Sequence, residues 1–124
     1  HVRTSQPAGL ASEPPDLLVV GAAIRAFTTS PATKRWLRGL GRALTRGDGA
    51  IPHAAVFLTH GLPLDKASGW GERLLARAER TRGIGSVYPR WLSGQVVEQL
   101  GPLEDGTLER FAGHARELAA WAGA

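Results

Sequence analysis

The chain has 124 residues, 43% of them hydrophobic and 21% charged, with Lys+Arg 15 against Asp+Glu 11 and a formal net charge of +4. That is enough for one folded domain and too little for two separate cores, and the apolar fraction excludes disorder over most of the length. No apolar run approaches the roughly 20 residues that span a bilayer, and the absence of cysteine excludes a disulfide framework, a thiolate metal site and a cysteine nucleophile.

The stretch from His1 to Pro15, with its Ser, Gly and Pro, reads as a connection, and residues 16–124 read as a single unit of wound strands and helices. Leu17-Leu18-Val19-Val20-Gly21-Ala22 is a short apolar run without alternation, the pattern of a strand covered on both faces. Ser30-Pro31 then offers a helix cap and a first-turn proline. Trp36, Leu37, Leu40, Ala43 and Leu44 recur at helical spacing behind it, with Lys34, Arg35, Arg38 and Arg42 on other faces. Gly47-Asp48-Gly49 closes that helix as a turn. Ala54-Ala55-Val56-Phe57-Leu58-Thr59 repeats the buried-strand pattern and His60-Gly61-Leu62-Pro63 ends it. Trp70, Leu74, Leu75 and Ala78 mark a second amphipathic helix, starting near Asp65 or Ser68 and stopping at Gly83. Ser86-Val87-Tyr88 begins a third strand that Pro89 can interrupt. Leu108, Phe111, Ala112, Ala115, Leu118, Ala119 and Ala122 form the stripe of a last helix, with Asp105 as its candidate cap.

Strands alternating with helices predict a parallel sheet with helical crossovers, and ligands of such sheets bind beyond the carboxyl ends of the strands. The segments Gly21 to Thr29 and Thr59 to Leu64 are therefore the expected binding loops.

Those two segments carry a resemblance. Asp16-Leu-Leu-Val-Val-Gly-Ala-Ala-Ile-Arg-Ala-Phe resembles the third strand and following loop of the flavodoxin family, D-L-[LIV]-[LIV]-V-G-[SGA]-P-[TV]-[HY]-x-[FW], with Ala23 at the usual Pro and Arg25 at the usual His or Tyr. Ala55-Val56-Phe57-Leu58-Thr59-His60-Gly61 is similar to the fourth strand and its loop, and Gly101-Pro-Leu-Glu-Asp-Gly-Thr-Leu-Glu-Arg to the lead into the final helix. The resemblance implies a three-layer flavodoxin-like parallel sheet with helices on both faces, truncated at its N-terminal side. It implies FMN as cofactor, its ring contacted by Ala22, Ala23, Ile24, Arg25, Ala26 and Phe27 from one loop and by Thr59, His60 and Gly61 from the other. Electron transfer or a flavin-dependent reduction, with a redox partner protein, would follow. The chain starts at His1 and holds no methionine. The family's first strand and its phosphate-binding loop are thus expected upstream, leaving the Leu17–Val20 edge to be covered by that segment or by a second copy.

Two further readings stand beside it. One is a flavodoxin-like scaffold without flavin, serving as a non-catalytic interaction module. The other is weak polyanion binding through the basic helix 32–44, by Lys34, Arg35, Arg38 and Arg42. The charge is uneven: residues 1–49 carry a surplus of +4 and residues 50–90 of +3, while residues 91–124 carry −3. The aromatic residue among these arginines, Trp36, falls on the apolar stripe of the helix and gives no stacking platform for single strands, so nucleic acid is not the expected partner. Thr28-Thr29-Ser30-Pro31-Ala32-Thr33 mimics the hydroxyl spacing of a phosphate loop, but Pro31 removes a backbone donor. The four histidines, His1, His53, His60 and His114, have no ligand spacing, so no metal is expected. No catalytic residue is assigned, because no G-x-S-x-G elbow, dinucleotide fingerprint or Walker sequence occurs. No secretory signal stands at the N-terminus, which makes the cytoplasm the expected compartment.

Overall fold

A computed structural model describes residues 7–25, 28–29, 31–60, 64–95 and 107–123. The described elements are α1 (Pro7–Ser12), β1 (Leu17–Arg25), β2 (Thr28–Thr29), α2 (Pro31–Gly47), β3 (Ile51–His60), α3 (Leu64–Glu79), β4 (Ile84–Val87), β5 (Leu92–Gln95) and α4 (Thr107–Gly123). They make an α/β fold around an open, mostly parallel sheet. β3 lies in the middle, because its apolar run is continuous and Ala54, Ala55, Val56 and Leu58 are all fully buried. β1 pairs with it in parallel from Leu17↔His53 to Ala23↔Thr59. On its other side β4 pairs with Ile51–Ala54 and β5 with Phe57–His60, also in parallel.

β4 and β5 are thus two halves of one broken edge strand. Tyr88 N–H still donates to Ala54 O at 2.8 Å, and the ladder then skips Pro89, Arg90 and Trp91. Proline has no N–H to give, so the break falls where the sequence predicts it. A triangle of hydrogen bonds ties the broken segment to α4. Tyr88 OH donates to Glu117 Oε2 (2.9 Å), and Arg90 Nη2 donates to both Tyr88 OH (2.9 Å) and Glu117 Oε2 (2.8 Å). The Tyr88 hydrogen bond and the Glu117 charge hold the Arg90 guanidinium above its ordinary pKa.

The two faces of the sheet are filled by different helices. Leu18, Val20, Ala22 and Val56 pack with Leu37 of α2 and with Leu74, Leu75 and Ala78 of α3. Leu17, Ala55 and Phe57, from the opposite side of the pleat, pack with Leu118 and Trp121 of α4. Aromatic rings occupy glycine notches on both sides. A Cβ at Gly21 would overlap the Phe57 ring facing it across the ladder, one at Gly94 would overlap Phe111 of α4, and one at Gly71 would overlap Trp91. The position of Trp91 follows from that last notch in α3.

Three expectations change. Part of the stretch read as a connection, Pro7–Ser12, is helical, because Leu10 and Ala11 join the cluster of Leu40, Leu44 and Ile51. The first strand does not stop at Ala22 but runs to Arg25, held by β3 through Ala23 and then by antiparallel pairing of Ile24 with Thr29 and Arg25 with Thr28. The second long helix ends at Glu79, four residues before Gly83, where the chain turns with φ of 89°. α2 closes as the sequence predicts, with Gly49 N–H donating to Leu44 O (3.0 Å), but the left-handed residue is Asp48 (φ 53°) and not a glycine. Candidate caps Ser30 and Asp105 lie outside the described residues.

Candidate functional site: an arginine-lined groove

The carboxyl ends of β1 and β3 hold the residues that the flavodoxin resemblance singles out. Ala22 and Ala23 are ladder residues opposite Leu58 and Thr59, and Ile24 and Arg25 belong to the pairing with β2. Thr59 is half-buried between Ala23 and Gly94. His60 is turned inward, 1% exposed, sharing a hydrogen bond of 2.7 Å between its Nε2 and Ser93 Oγ, with the Trp91 ring edge-on at 6.1 Å. Ala26, Phe27 and Gly61 lie outside the described residues. The described members of the set are therefore strand, not loop. Ala22, Ala23 and Thr59 are brought together across one ladder.

The phosphate-loop look-alike is divided in the same way, with Thr28 and Thr29 in β2 and α2 beginning at Pro31. Among the described residues no group of three His, Cys, Asp or Glu side chains is placed to hold a metal.

A different feature stands at the other end of the sheet. The second halves of α2 and α3 flank a groove of about 600 Å³ lined by Arg38, Arg42, Arg46, Arg77, Arg80 and Arg82, together with Leu37, Gly41, Thr45 and Thr81. Its origin is readable in the helices. Leu37, Leu40 and Leu44 bury the core face of α2, which sends Arg38, Arg42 and Arg46, each four residues on, along one exposed stripe. Successive members rise by about 6 Å. α3 delivers Arg77 in its last turn, and the turn after it delivers Arg80 and Arg82. Gly41 faces that turn: a Cβ there would stand in ordinary contact, 3.5 Å from the Arg82 backbone nitrogen and from the Thr81 methyl.

The groove is strongly one-signed. No carboxylate lines it, and the ion pair of Arg90 with Glu117 is elsewhere. Arg46 and Arg77 sit in last helical turns, where positive charge also offsets the negative end of the helix dipole. Thr45 and Thr81 donate their hydroxyls to the carbonyls of Gly41 (2.8 Å) and Arg77 (2.9 Å), so they offer no donor to a ligand. What remains is a set of guanidinium forks, suited to the oxygens of phosphate or carboxylate.

The sequence pattern identified Arg38 and Arg42 but placed Lys34 and Arg35 beside them; both of these are exposed on α2 and neither lines the groove. Arg46, Arg77, Arg80 and Arg82 were missed as a set. The spacing of Arg38, Arg42 and Arg46 carried the signal for one wall, whereas the second wall is 31 residues further along from Arg46 to Arg77 and joins it only through the tertiary fold. No family model, curated protein or solved structure matches this chain.

Proposed function

We propose that this chain is a polyanion-binding α/β module that receives a phosphate backbone in the groove between α2 and α3. One observation carries the reading: six arginines line a single groove that contains no acidic side chain. Guanidinium forks donate to phosphate oxygens, and the absence of an aromatic ring from the lining leaves no platform for stacking bases. Recognition is then of backbone charge and is indifferent to sequence. A lining without aromatic rings argues against single-strand stacking but not against this mode.

The test is fluorescence anisotropy with two probes, a labelled DNA duplex and linear polyphosphate, across a salt series. Binding to the duplex falls linearly on a log–log plot, with a slope of about −0.9 per phosphate neutralised and roughly −5 if all six arginines engage. Charge reversal at Arg42 and Arg80 weakens both probes by at least about tenfold, while reversal at Lys34 and Arg35 has a much smaller effect. Equal response of both probes means that charge spacing alone is read, and preference for the duplex means that the nucleic-acid backbone is. Absence of binding at low salt, or indifference to the Arg42 and Arg80 reversals, overturns the proposal.

The sheet favours a second reading at the level of scaffold. β1, β3 and the β4–β5 strand lie side by side in chain order and in parallel, with α2 and α3 on one face and α4 on the other. This supports a flavodoxin-like three-layer arrangement. Its FMN-binding, electron-transferring form is checked by titrating FMN with the protein. Quenched flavin fluorescence supports that form, and unquenched flavin leaves a non-catalytic interaction scaffold.

A further inference from the structure

The two edges of the sheet differ. On one side β4 and β5 form a broken edge strand, tied down by α4. On the other, β2 pairs with Ile24 and Arg25 only, and among the described residues no strand pairs with the outer edge of β1 from Leu17 to Ala23. That leaves a seven-residue row of backbone groups, about 23 Å long, with Val19, 40% exposed, as the large apolar side chain left open to solvent. An unpaired apolar edge of this length templates pairing with another strand.

We propose that the edge is filled by the same strand of a second copy, antiparallel and related by a twofold axis through Val20. Three features of β1 select this occupant. First, β2 already runs antiparallel to β1 on that edge and stops opposite Ile24, so an incoming antiparallel strand continues its line. Second, the strand begins at Leu17, directly after a bend at Asp16, so a copy whose Leu17 sits opposite Ala23 fills the vacant row and stops short of β2. A shift by one residue toward β2 would bring Leu17 against Ile24, whose outer edge is taken. Third, the strand is large in its first half and small in its second. In the twofold register Leu17 faces Ala23, Leu18 faces Ala22, Val19 faces Gly21 and Val20 faces itself. Leu17, Leu18 and Val19 of one copy thus each meet a small residue of the other, Val20 meets its own counterpart on the axis, and the exposed Val19 lies beside the Gly21 notch and its Phe57 ring. A parallel copy would lack this large-to-small match. The interface is isologous and closes on itself, so it ends at a dimer and does not propagate.

The experiment is sedimentation equilibrium of the unmodified chain over a wide concentration range, followed by an isotope-filtered NOE measurement on a mixture of labelled and unlabelled protein. The expected result is a dimer with contacts between Val19 of one copy and Gly21 of the other. Val19→Lys, at a side chain already open to solvent, weakens the dimer by at least about tenfold with an unchanged circular dichroism spectrum. Should that variant lose its fold, the NOE pattern of the unmodified protein decides alone. A monomer at every concentration, or a dimer without the Val19–Gly21 contact, overturns the proposal.

Discussion

At the scale of single residues, Gly21 shows how one missing side chain organises the face of the sheet that α4 covers. It stands opposite Phe57 in the β1–β3 ladder, and the Phe57 ring occupies the volume that a Cβ would take. The ring is hemmed on its far side by Phe111, edge-on at a centroid distance of 6.4 Å. Gly21→Ala gains about 0.4–1 kcal/mol by restricting the unfolded chain, but it forces the ring to move in a packed site, which costs about 1–3 kcal/mol. Net destabilisation of about 1–2 kcal/mol is expected in urea unfolding. Gly21→Ala combined with Phe57→Leu should recover part of that loss relative to the two single variants added together. Additive single effects would show that the ring does not occupy the notch. In the sequence Gly21 reads only as the end of an apolar run, because its partner is 36 positions away. His60 teaches the same lesson. Its place at the end of a strand suggested a ligand contact, and only the neighbouring β5 shows that its ring is turned inward to Ser93.

At the scale of elements, the break between β4 and β5 is the feature with an energetic handle. Pro89 interrupts the ladder, and the Tyr88, Glu117 and Arg90 triangle holds the loosened segment to α4. Arg90 and Glu117 keep side-chain exposures of 65% and 50%, so solvent screens their ion pair and it contributes little. The buried Tyr88 matters more. Tyr88→Phe keeps the ring against Trp121 and removes the hydroxyl that bridges the other two. A loss of about 1 kcal/mol is expected, read as a shift of the urea midpoint with an unchanged slope. A much larger loss, or a changed slope, would mean that the triangle organises α4 itself. The helix–strand alternation was legible because apolar periodicity is a local property. Helix α1 was not, since its six residues are held by Leu10 and Ala11 docking on α2 and not by any strong pattern of their own.

At the scale of the whole molecule, stability and charge are distributed unevenly. β3 is flanked on both sides and covered on both faces, so its amides from Ala54 to Leu58 should exchange with solvent only on global opening. α1, a short helix docked on one side, should exchange through local fraying at a far lower free energy. Hydrogen exchange checks this directly, and equal protection of α1 and β3 would show that α1 belongs to the same cooperative unit. The positive surplus of residues 1–90 is gathered by the fold at the ends of α2 and α3, whereas the acidic surplus of residues 91–124 belongs to a segment that supplies α4 on the other face. Separation of the two signs lets one end of the molecule attract a polyanion despite a net charge of only +4.

The sequence by itself determined the α/β class, the alternation of the main strands and helices, the faces these bury and the proline break, because each depends on neighbours within a few turns or a few strand residues. The tertiary structure decided which ends of those elements meet. It extended β1 past its apolar run by giving Ala23 and Ile24 pairing partners, and it turned His60 inward by setting β5 beside it. It also joined arginines from two helices into one groove. Strand partners and opposing groove walls are far apart along the chain, and periodicity within one segment contains no term that links it to another.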